Sequence, residues 1–218
     1  MTVESDNRKA EQVRKAAIVL EPSIQFANLL LDVTRDTRKR LGRGAGAVWM
    51  PPAACAITIL TAELPPRALD EVIGMGMSSV ASGFRDVQIC IDPPSLERLA
   101  DGSMLIISRA WSTDSVIGVI SGALARELER VGVESVDQVS GGLKLVYGWM
   151  PGASEIASIP GAASFEYPSR IAISGLVGGI LEPVGTTPMT LCRRVRTAPL
   201  AIAAGSRHVR DSGGVQEV

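Results

Sequence analysis

Residues 49–61 read Trp49-Met50-Pro51-Pro52-Ala53-Ala54-Cys55-Ala56-Ile57-Thr58-Ile59-Leu60-Thr61. The two prolines mark an irregular approach. The segment Cys55–Thr61 that follows is dense in β-branched residues and predicts a central β-strand. Strand alternation puts Ala56 and Thr58 on one face, with Cys55 and Ile57 on the other. Upstream, Ala16-Ala17-Ile18-Val19-Leu20 is a short apolar run that predicts a buried strand, closed by Glu21-Pro22. Pro22 suits a helix start. Phe26, Leu30, Val33, Thr37 and Leu41 then recur at spacings of three and four, which is one face of an amphipathic helix. Asp32, Arg35, Asp36 and Arg38-Lys39-Arg40 fill its other side, and Gly42 and Gly44 stop it.

Downstream, Pro65-Pro66 opens a second helix with Leu69, Val72, Ile73 and Val80 on one face, weakened by Gly74 and Gly76. Val87, Ile89 and Ile91 alternate with Gln88 and Cys90 and predict a strand ending at Asp92-Pro93-Pro94. Met104–Ser108 is another strand. Ser112-Thr113-Asp114 offers N-caps for a third helix with Ile117, Ile120, Leu124, Leu128 and Val131 inward, ended by Gly132. Gly141-Gly142 announces a strand over Leu143–Gly148. Residues 151–164 read as loop. Phe165–Ile173 reads as a strand pair or one bent strand broken by Pro168, and Thr190–Arg196 as a last strand. Each half runs from a long amphipathic helix through a Gly-containing loop to an apolar strand. The expected architecture is α+β: two pseudo-symmetric lobes of antiparallel sheet with outer helices and a central cleft. A single two-lobed domain is expected over 15–200, with flexible tails at 1–14 and 201–218.

Composition narrows the chemistry. The chain has 218 residues and a formal net charge of −1, with 46% hydrophobic and 21% charged residues. That length carries a full core without a metal or disulfide staple. The charge argues against general coating of nucleic acid. No run approaches 18 apolar residues, so no membrane span is expected. The polar start is no export signal, and a cytoplasmic protein is the default. His208 is the only histidine, which excludes a His-pair mechanism or a multi-His metal site within one chain. Cys55, Cys90 and Cys192 are too few and too scattered for a zinc site or disulfide framework. No metal and no cofactor are expected.

The order and spacing over residues 15–175 resemble the two-histidine phosphoesterase superfamily, with its 2′-5′ RNA ligase-like proteins and cyclic nucleotide phosphodiesterases. Ala17-Ile18-Val19-Leu20-Glu21-Pro22 and the helix after it are similar to that family's opening strand and helix. The Trp49–Pro52 approach to Ala56-Ile57-Thr58 is similar to its first His-x-Thr strand. Lys144-Leu145-Val146, before Tyr147-Gly148-Trp149, is similar to its second; a one-residue shift would put Leu143 at the histidine position. The resemblance implies a cleft where two histidines serve as general base and general acid and two threonines hold phosphoryl oxygens. It places Ala56 and Lys144 at the histidine positions, and Thr58 and Val146 at the threonine positions. Alanine transfers no proton, and lysine is mostly protonated unless desolvated.

The candidate cleft residues are therefore Ala56, Thr58, Lys144, Val146, Tyr147, Trp49 and Trp149; no catalytic residue is assigned. Each has a plain alternative. Lys144 is either a cleft cation or an outward residue on an alternating strand. Thr58 is a hydrogen-bonding group or a β-branched strand residue, and the tryptophans are pocket walls or core. Gly42–Gly46 follows a helix and lacks the ending of a phosphate loop. Cys55 is expected to be a buried structural thiol. Three functions follow. The first is a non-hydrolytic protein, a pseudoenzyme whose inter-lobe cleft binds a nucleotide or other small molecule. The second is an enzyme of another class, isomerising or cyclising an apolar metabolite in the same cleft. The third is a module that binds an acidic partner or nucleic acid through Arg193, Arg194 and Arg196, at the start of the Arg-rich, acid-free stretch 193–210.

Overall fold

The computed structural model describes residues 14–200 apart from 52–53, 65, 113, 134, 140–141, 153–155, 157 and 163–169. The expectations placed on 1–13, on 165–169 and on 201–218, His208 included, lie outside these residues. Arg14, expected in a tail, instead opens the first strand, opposite Leu64.

The first half runs β1 (Arg14–Pro22), α1 (Ile24–Leu41), the two-residue β2 (Val48–Trp49), β3 (Ile57–Leu64), α2 (Pro66–Ala81) and β4 (Gln88–Ile91). The second runs β5 (Ser95–Arg98), β6 (Met104–Trp111), α3 (Val116–Arg130), β7 (Val136–Gln138), β8 (Leu143–Met150), β9 (Ile171–Pro183) and β10 (Thr190–Pro199). All described pairings are antiparallel. The chain is thus an α+β fold of three helices on antiparallel sheet. Its pairings return on themselves, through β8–β3–β1–β9–β4–β6–β8.

The helices obey their sequence periodicity. Phe26, Leu30, Val33, Thr37 and Leu41 of α1 are all buried. In α3 the buried set is Ile117, Ile120, Ser121, Leu124, Ala125 and Leu128. Each large apolar side chain removed from water contributes roughly 1.5–3 kcal/mol. Pro22 ends β1 rather than starting α1, because Ser23 intervenes as the residue before the helix. At α3 the Asp114 carboxylate accepts the Val116 N–H at 3.3 Å, as a cap would.

The end of the chain departs from expectation. β9 is one 13-residue strand that pairs with β1 on one side and, near its start, with β4 on the other. β10 pairs with β9 along its whole length. Gly175, Gly178 and Gly179 hide β9 from a propensity reading. Packing requires all three. A Cβ on Gly175 would crowd the Ala198 carbonyl, one on Gly178 would collide with Ile73 of α2, and one on Gly179 with the Arg193 carbonyl. Arg193, Arg194 and Arg196 lie in β10, the last strand expected over Thr190–Arg196. Among the described residues no helix is long and apolar enough to cross a membrane.

Candidate functional site

Two strands meet at a centre of local symmetry. β3 and β8 pair through Ile57 and Leu145, both buried. The antiparallel register places Ala56 next to Val146 and Thr58 next to Lys144, all four on the face opposite Ile57 and Leu145. The motifs Ala56-Ile57-Thr58 and Lys144-Leu145-Val146 thus lie head to tail across a local two-fold axis.

The symmetry extends outward. Val19 pairs with Thr58 on one side, and Ile107 with Val146 on the other. Ala17 pairs with Thr61, and Leu105 with Trp149. Every one of these correspondences is a shift of 88 positions. Each motif strand carries a bulge directly after its third residue, at Ile59 and at Tyr147, where the register slips by one. Each bulge resets the alternation. Leu60 and Gly148 therefore face the core, while Thr61 and Trp149 return to the motif face.

That reset sorts the sequence candidates. Ala56, Thr58, Lys144, Val146 and Trp149 share one face. Tyr147 does not: it is fully buried in the core, and its hydroxyl lies 3.1 Å from the Ser108 hydroxyl. Trp49 does not either. It pairs with Gly148, and its ring lies 5.0 Å from the Arg38 guanidinium of α1, on the helix side of the sheet. Tyr147 follows plain alternation from Leu145 and Trp49 lies on a separate strand, whereas the bulge is what returns Trp149 to the motif face.

The motif face has two unlike halves. On the first-lobe side Ala17, Val19 and Val177 are buried together, with Ala56, Leu181 and Cys192 packed against them. This cluster is separate from the main core. Burial pushes the Cys192 thiol up to about 11, with Arg194 opposing. Beside it the Arg194 guanidinium donates to Glu21 at 2.5 Å. On the second-lobe side the Lys144 ammonium donates to Glu97 at 2.6 Å. Arg109 lies directly across from Lys144. By the 88-residue shift Arg109 occupies the place of Glu21, so equivalent positions carry opposite charges. The Trp149 Nε1 is buried without a hydrogen-bond partner among the described residues. Cys55, in contrast, is buried on the core side, where burial pushes its thiol up to about 12.

The overall fold is shared with solved structures. The chain has a LigT-like fold. It is similar to TT0787 of Thermus thermophilus, with a TM-score of 0.61 at 11% identity over 85% of this chain and 97% of that one. It is similar to E. coli LigT complexed with 3′-AMP, with a TM-score of 0.57 at 10% identity over 87% and 99%. A third structure, described as a phosphoesterase, gives 0.55 at 8% identity over 86% and 98%. These shares exceed what residues 15–175 alone contain, so the LigT-like likeness runs further than the sequence resemblance did. No protein-family profile and no curated protein matches the chain.

Of the charged residues on the motif face, the sequence singled out Lys144 and, for another role, Arg194, but not Glu21, Glu97 or Arg109. Glu21, Glu97, Arg109 and Arg194 come from four strands, and only the register aligns them. The helical periods that located α1 and α3 carry no such cross-strand information.

Proposed function

We propose that the chain is a non-hydrolytic ligand-binding protein. Its site is the face bearing Ala56, Thr58, Lys144, Val146 and Trp149, and its ligand is a nucleotide or another small molecule. The head-to-tail register of the two motifs carries this reading. The resemblance puts the proton-transferring groups of a two-histidine phosphoesterase at positions that are Ala56 and Lys144 here. Alanine moves no proton. Lys144 donates to Glu97 at 2.6 Å, so its ammonium is already engaged by a neighbouring carboxylate. Val146 offers no hydroxyl to a phosphoryl oxygen. Each lost acid–base role forfeits about 10²- to 10⁴-fold in rate. Binding groups remain: the Thr58 hydroxyl and the unpartnered Trp149 N–H. The likeness to LigT, solved with 3′-AMP and with NADP+, supports a nucleotide as the first ligand to try.

The test is calorimetric titration with 5′-nucleotides and 2′,3′-cyclic nucleotides, beside a hydrolysis assay on the cyclic ones. Saturable binding without turnover is expected. Failure to bind any phosphorylated ligand at millimolar concentration, or turnover of the cyclic substrates, overturns the reading.

A second reading is favoured by one observation. The cluster of Ala17, Val19 and Val177 with Ala56 makes the first-lobe half of the face apolar. Such a surface suits an enzyme that isomerises or cyclises an apolar metabolite by holding its shape, with Lys144 and Thr58 as polar groups. Tyr147, buried in the core, takes no part.

A further inference from the structure

Next to the motif strands lies a cavity of about 470 Å³ whose walls include Asp92, Glu97, Arg109, Trp111 and Lys144. It holds two acids and two bases. Lys144 and Glu97 satisfy each other at 2.6 Å. Asp92 and Arg109 do not. The Asp92 N–H donates to the Arg109 carbonyl at 2.8 Å, so the two residues stand directly opposite each other on neighbouring strands. Residues so placed have their Cβ atoms about 5 Å apart. Yet neither side chain forms an ion pair or hydrogen bond with the other or with any described residue. Arg109 also faces Lys144, a like charge, directly across the pair on its other side. Trp111 is 44% exposed and forms a flat apolar wall.

We propose that this cavity binds a small zwitterion: an ammonium group against Asp92, a carboxylate or phosphate against Arg109, and an apolar body on Trp111. The pairing of charges decides between ligand types. A simple anion would leave Asp92 repelling it, and a simple cation would meet Arg109. A ligand carrying both signs satisfies both walls and keeps the cavity neutral. Arg109 also presents a planar fork suited to a carboxylate or phosphate. The volume lies in the range usual for small-molecule sites. The cavity shares Glu97, Arg109 and Lys144 with the second-lobe side of the motif face, but the inference goes beyond the proposed nucleotide site and does not depend on it.

Three probes with one aromatic body separate the contributions: phenylalanine carries both charges, 3-phenylpropionate only the anion, and phenethylamine only the cation. Ligand-observed NMR titration of the full chain is expected to show phenylalanine binding at least tenfold tighter than either relative. Arg109→Met should reduce phenylalanine to the level of phenethylamine, and Asp92→Asn to that of 3-phenylpropionate. Phosphoethanolamine, run beside glycine, tells whether phosphate or carboxylate is the preferred anion. Equal binding of phenylalanine and 3-phenylpropionate overturns the zwitterion, as does no binding of phenylalanine at 10 millimolar, on the order of the weakest specific affinities. Nucleotide titrations of the same samples keep the two readings apart, since either can fail while the other stands. Both variants change half-exposed or exposed positions, so an unchanged thermal melt serves as the folding control.

Discussion

Lys144 shows how little a residue's type says before its partners are known. The sequence offers it as a cleft cation or as an outward strand residue. The register makes it a residue of the motif face, and Glu97 takes up its charge. The two side chains are 36% and 27% exposed, so water screens the pair and its contribution is modest. Lys144→Met should cost no more than about 1 kcal/mol in a urea melt. A loss several times larger would mean that the pair is structural and leaves Glu97 stranded. Installing the groups that two-histidine phosphoesterases carry is a sharper test. Ala56→His with Lys144→His and Val146→Thr should raise cyclic phosphodiester hydrolysis above the wild-type background, while either single histidine should not, since both proton transfers are required. An inactive but folded triple variant would say that the two positions do not face one substrate. That Ala56 and Thr58 share a face, and Lys144 and Val146 another stretch of it, was legible from alternation alone; that Trp149 joins them was not, because the bulge at Tyr147 leaves no mark in the sequence. Glu21, Glu97 and Arg109 were not legible either, because their meaning comes from strands far away in sequence.

At the level of elements, helices were read well and sheet edges poorly. The apolar period of α1 and α3 is a local signal repeated over four or five turns. β2, β5 and β7 span two to four residues each and leave no period to detect. β9 was truncated in the reading because glycines broke its pattern, although packing demands them. Gly148 makes the same point in β8. A Cβ there would lie 2.7 Å from the Val48 carbonyl, the strand that brings Trp49 against α1. Gly148→Ala should therefore destabilise by roughly 1–3 kcal/mol and weaken the β2–β8 contact, visible as a change in Trp49 fluorescence. Gly179→Val should do more, because the obstacle is backbone of β10 and cannot rotate away. An unchanged denaturation midpoint for Gly179→Val would mean that β10 does not sit where it is described.

For the whole molecule, β9 is the common member of both lobes, touching β1 and β4. A chain ended after Pro183 lacks β10 and the Arg194–Glu21 pair, and it should lose its cooperative thermal transition by circular dichroism. A chain ended after Leu200 is the control. This replaces any test that removes everything from Arg193 onward, since such a cut would destroy a strand and be mistaken for loss of a binding tail. Stability should also respond to alkaline pH. The Cys55 thiol has an ordinary value of 9.0 and stands at about 12 when folded. The unfolded chain releases this proton first, so the neutral buried thiol contributes its full share below about pH 9. That share is lost as pH rises toward 12, at up to about 1.4 kcal/mol per pH unit. Urea midpoints from pH 8 to 11 should fall less steeply for Cys55→Ala than for the wild type. Parallel slopes would mean that the thiol is accessible to water.

The 88-residue correspondence has a consequence for what such a face can recognise. Two separate copies meeting on a two-fold axis must present every side chain twice, so a carboxylate at one position is answered by the same carboxylate at its mate. Here both halves belong to one chain and differ: Glu21 stands on one side and Arg109 on the other. A single chain is free of self-matching, and the surface has a direction. A molecule with distinct ends can lie on it one way round and not the other, a polarity that no assembly of identical halves on the same axis could offer.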